Sequence, residues 1–134
     1  MLTPAIEGIR LTLHVLAAAI WVGGQLTLGG LVPSLRRLGS EATAAVTKAF
    51  GRLAWPAYAV LLITGLWNYS SFNMNKVSLA WKIVVGIKIT VALLAGVAAY
   101  LHQRAKSKAG IAAWGGISGI TSVAALALGV FLAG

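Results

Sequence analysis

The stretch His14-Val15-Leu16-Ala17-Ala18-Ala19-Ile20-Trp21-Val22-Gly23-Gly24 decides how the chain is read. It sits in a run from Leu11 to Leu35 without a charged residue, about 25 positions where a lipid core needs about 20. On a helix, His14, Ala17, Ala18, Trp21 and Gln25 share one face. That face joins one ligand-capable ring to small side chains and an aromatic a turn later, a surface suited to a flat cofactor. A polar ring at membrane depth is costly and turns to the protein interior. There it either serves function or ties helices together by hydrogen bonding.

The whole chain shares the character of that run. Its 134 residues are 59% hydrophobic, above the roughly 45–50% of soluble domains, and its mean hydropathy is +0.88. The fold class expected is all-α: an integral membrane four-helix bundle, one domain of four transmembrane helices with short loops. Without cysteine there can be no disulfide, thiolate metal site or cysteine-linked haem. The net charge of +9 comes from residues at the ends of apolar spans, not from a basic run interleaved with aromatics. Membrane lipids are therefore the expected partners, and no nucleic acid. Residues Met1 to Arg10 hold no basic leader and the apolar run exceeds a signal-peptide core, so the first span is expected to persist.

The spans are expected at about 9–35, 53–69, 81–102 and 111–133. Between the first two, Gly39-Ser40-Glu41 reads as a turn and helix start, with Ser40 as cap and Glu41 in the first turn. Ala42 to Phe50 is expected as a short interfacial helix running into the second span. Pro56 then falls near the start of that span. Trp67, Tyr69 and Phe72 mark an interface, and 70–78 is a polar loop. In the fourth span, Gly115 and Gly119, then Thr121, Ala125, Gly129 and Ala133, form stripes of small residues that let a neighbouring helix, or another copy, approach closely. Arg36, Arg37, Lys48, Arg52, Arg104, Lys106 and Lys108 lie in or beside the first and third connections. The positive-inside rule therefore places both termini outside a cytoplasmic (inner) membrane.

Polar residues within the spans are the candidate chemistry. Lys88 costs roughly 2.5–3.5 kcal/mol at a span centre unless it snorkels or is paired. It lies about 9 Å inside Lys82, and His14 about 6 Å inside Arg10, at 1.5 Å per residue. Both spans enter from the same side, which sets His14 and Lys88 at similar depth. Trp81, Ala92, Ala95, Ala99 and His102 share the Lys88 face; His102 sits at the basic end, as an interfacial residue or a ligand. Arg52 is either an interface anchor or a group for a carboxylate. Copper would want soft ligands, and the chain offers only Met74 besides the first residue. Glu7 and Glu41, the only carboxylates, lie outside the spans, which argues against hydrolytic chemistry.

The order of these pieces resembles one superfamily: His14 seven residues before Trp21-Val-Gly23-Gly24, Arg52 before Pro56 and Ile63-Thr-Gly65-Leu66-Trp67, then Trp81 with Lys88. It joins the membrane domain of copper-resistance protein D to the HemJ-type protoporphyrinogen oxidases, and the likeness covers about residues 10–102. The resemblance implies a four-helix protein with haem b, His14 as an axial metal ligand, and Lys88 and Arg52 as functional basic residues with a catalytic part. Trp21, Ala18 and Trp81 would line the porphyrin, and Lys88 would be a second ligand or an electrostatic partner. Electrons would pass to a quinone or another respiratory acceptor. Gln25 to Leu38 departs from the oxidase branch in lacking a histidine. Copper transport, and an accessory role in a homo-oligomer or larger membrane complex, are the alternatives.

Overall fold

In the computed structural model, residues 4–133 are described; the reading of the N-terminal segment extends to Met1–Thr3, outside them. The chain is all-α, as expected, and no strand occurs among the described residues. Four helices, α1 (Ala5–Leu38), α2 (Ser40–Ser70), α3 (Leu79–Arg104) and α4 (Lys108–Ala133), are long and apolar enough to cross a membrane. Each outruns its expected span, because a helix continues past the lipid core until a cap or a glycine ends it. They fall into two compact units, one ending at Phe72 and the other starting at Asn73.

In the first unit α1 and α2 form an antiparallel hairpin. Gly39 alone separates them, at φ 117°, a conformation open to glycine and strained for other residues. This corrects the expected cap. Ser40 is already the first helical residue and makes no capping hydrogen bond; Gly39 precedes it, and its carbonyl accepts from Thr43 N–H at 3.2 Å and Thr43 Oγ1 at 3.1 Å. Ala42 to Phe50 is helical and runs without a break into the second span, as expected, the two forming the single helix α2. Pro56 thus lies inside α2 rather than near its start, and the helix continues through it. Between that reversal and the middle of the hairpin, the ring of Phe50 occupies the space that a Cβ at Gly24 would need.

Within α1, Ala19–Gly23 forms one wider π-helical turn. It broadens the inward face, so that the neighbours Trp21 and Val22 are both buried. His14, Ala17, Ala18, Trp21 and Gln25 are all buried or half-buried while Leu13, Val15, Leu16 and Leu26 are exposed. The face read from the helical period is therefore real.

In the second unit α3 and α4 form another antiparallel hairpin. Each begins with a serine N-cap: Ser78 Oγ accepts from Trp81 N–H at 3.1 Å, and Ser107 Oγ from Gly110 N–H at 3.0 Å. These caps satisfy helix-end donors that have no partner within the helix. Small residues fill the seam, with Ala95, Gly96 and Ala98 of α3 buried and Ser118 and Ser122 of α4 beside them in the sequence of small groups. Ser118 Oγ donates to Ala95 O at 2.9 Å. Ser118 and Ser122 lie outside the small-residue stripe read from the sequence, of which Gly115 and Gly129 face the hairpin partner.

Candidate functional site

His14 reaches across the first hairpin to a residue that the sequence reading passed over. Its Nδ1 lies 2.8 Å from Thr64 Oγ1, and Thr64 Oγ1 is 2.7 Å from Val60 O. A carbonyl oxygen only accepts, so the Thr64 proton goes to Val60. Both short contacts are then satisfied only when His14 Nδ1 carries a proton and donates it to Thr64. In the neutral ring this leaves the lone pair on Nε2, the arrangement in which an outer partner fixes the tautomer and orientation of a metal-ligating histidine. A Cβ added at Gly65 would lie 3.6 Å from His14 Cε1, so the ring rests on a stretch of α2 that has no side chain. Thr64 itself is 3% exposed. Its signal was a hydroxyl beside a glycine inside an apolar span.

One turn before His14, Arg10 is buried, the only charged residue so placed among the described residues. The sequence marks it merely as an end anchor. Its Nη2 is 3.7 Å from Glu7 Oε1, and its guanidinium carbon lies 5.9 Å from the centre of the Trp67 ring. Arg10 Nε and Asn68 Oδ1 are both shielded from solvent with no hydrogen-bond partner.

Two turns beyond His14, Trp21 is enclosed by aromatics. Its ring centre lies 4.5 Å from that of Tyr58 and 5.4 Å from that of Trp55, and the latter two pack edge-on at 5.8 Å. Trp21 is thus buried, with its ring engaged by α2. Ala18 is half-buried at the start of the π turn. Arg52 is exposed. Twelve residues separate it from Thr64, about 18 Å along α2, so the first unit does not bring it to His14.

Lys88, Trp81 and His102 belong to the second unit and share the half-buried face of α3. A Cβ at Gly129 would meet Lys88 Nζ at 3.1 Å and Cε at 3.4 Å, so the lysine stem lies along the seam with α4. His102 Nδ1 donates to Ile111 O at 2.7 Å, and a Cβ at Gly115 would meet its ring at 2.9 Å. Two glycines of the stripe thereby receive Lys88 and His102 of α3. Met74 is half-buried in the loop after α2. Among the described residues no group of three His, Cys, Asp or Glu side chains stands ready to hold a metal ion. No known family model, curated protein or solved structure matches the chain.

Proposed function

We propose that this is a multi-pass protein of the cytoplasmic membrane that holds haem b through His14 and serves electron transfer, in the manner of the superfamily that its residue order resembles. The observation that carries the reading is the His14–Thr64 hydrogen bond, which leaves Nε2 as the lone-pair nitrogen inside an apolar helix. The donor set suits such a group: one oriented imidazole, with a buried guanidinium a turn away. When bound, the haem supplies one-electron chemistry, and the protein supplies position and electrostatics. Thr64 fixes the ring, Gly65 leaves room beside Cε1, and the Trp21, Trp55 and Tyr58 rings keep water from the next turns of the hairpin. A respiratory acceptor such as a quinone would take the electron. Copper handling has less to support it, since Met74 is a lone thioether in a loop and soft copper favours several sulfur ligands.

The test is the reduced-minus-oxidised absorption spectrum of protein purified in mild detergent, with a pyridine haemochrome assay. A b-type spectrum near one haem per chain is expected, lost in His14→Ala. A flat spectrum that added haem leaves unchanged, or a fully loaded His14→Ala variant, would sink the reading.

A further inference from the structure

The buried arginine of the first hairpin lacks the acceptor that its chemistry calls for. Arg10 carries a fixed charge that cannot be removed by deprotonation, and its side chain is only 9% exposed. The one carboxylate near it, Glu7, is 47% exposed and 3.7 Å away, beyond hydrogen-bond distance. The Trp67 ring offers a π face but no lone pair, and Nε has no partner. A guanidinium placed in this way is costly unless an acceptor meets it, and its planar fork matches a carboxylate best.

Position narrows the choice of carboxylate. Arg10 and His14 stand four residues apart on α1, about 6 Å along one face, and both meet α2, at Trp67 and at Thr64. A ligand held at His14 Nε2 with an acidic arm can direct that arm along α1 to the guanidinium. We infer that Arg10 holds a carboxylate of the tetrapyrrole that His14 ligates, making α1 a two-point clamp of imidazole and guanidinium. The inference rests on the haem reading above and adds a requirement to it: the macrocycle must bear a free acid. It also moves the carboxylate-binding role from Arg52, which the first unit leaves exposed away from His14, to Arg10.

The experiment titrates detergent-solubilised apoprotein with haem and with haem dimethyl ester, following Soret absorbance. Wild-type protein should bind the free acid about tenfold or more tighter than the diester, the scale of one charge-assisted pair. Arg10→Gln should bring the acid down to the diester's affinity and leave the diester unaltered; Arg10→Lys should restore part of the difference. Comparing the acid-to-ester ratio between wild type and Arg10→Gln cancels the unequal partitioning of the two ligands into micelles. Equal wild-type affinities, or a preference that survives Arg10→Gln, overturn the inference while the haem reading stands. If neither ligand binds, both fall. The ester arm needs no substitution, so a variant that fails to fold does not spare the proposal.

Discussion

His14 and Thr64 lie 50 positions apart in sequence and 2.8 Å apart in space, joined by a hydrogen bond whose direction the Val60 carbonyl dictates. Thr64→Val keeps the branched shape and removes the acceptor. The His14 ring is then free to turn, and outer partners of metal-bound histidines are worth roughly 10–100-fold in affinity. Thr64→Val is expected to lose haem in that range, read by Soret titration, while Thr64→Ser stays near wild type. Equal binding by all three proteins would leave the bond as packing alone.

Trp21 is 3% exposed against Trp55 and Tyr58. Trp21→Ala should destabilise the protein by about 3–5 kcal/mol, the usual cost of emptying a large aromatic site, measured by denaturant titration in detergent. Trp21→Phe should cost clearly less. An alanine variant of wild-type stability would show that the aromatic cluster is not closely packed.

The two glycines of α4 that receive α3 side chains should differ in tolerance. At Gly115 a methyl group meets the His102 ring, and that ring is held by its bond to Ile111 O. At Gly129 it meets the end of a lysine stem, which can swing aside. Gly115→Ala should therefore cost about 1–3 kcal/mol, the range for overpacking, and Gly129→Ala less than half of that. His102→Ala should remove most of the Gly115→Ala penalty. Thermal denaturation of the four variants decides the order.

Because the chain has no cysteine, its orientation can be read from single introduced thiols. Ser40→Cys and Ser107→Cys are expected to react with an impermeant maleimide only from the cytoplasmic side, and Asn75→Cys only from the outside, following the distribution of basic residues. The reverse pattern would invert the orientation expected from the sequence.

The four helices were legible because charge-free runs and their polar ends are properties of composition, open to a linear reading. The inward face of α1 was legible for a related reason, since the helical period alone puts His14 with Ala17, Ala18 and Trp21. What escaped the reading depends on meetings between helices. Thr64 looks like any hydroxyl in an apolar span until α2 folds back on α1. Arg10 looks like an end anchor until the Trp67 side of α2 covers it. The π turn at Ala19–Gly23 has neither proline nor charge to mark it, and although the turn at Gly39-Ser40-Glu41 was legible, its cap was read as Ser40 where Gly39 takes that place. Local propensity gave way in each case to the pairing of the hairpin.

That reversal also bears on how the protein reaches its membrane. With a single glycine between α1 and α2, the polar stretch from Arg36 to Arg52 is built into the two helix ends rather than into a free loop. The stretch following Gly39 is also the least apolar of the four candidate spans, with Lys48 and Arg52 in its first half. The pair is therefore expected to enter the membrane as one hairpin. α1, the more apolar of the two, is expected to carry α2 into lipid, and a fragment starting after Gly39 is expected to be extracted from membranes by carbonate more readily than the intact chain.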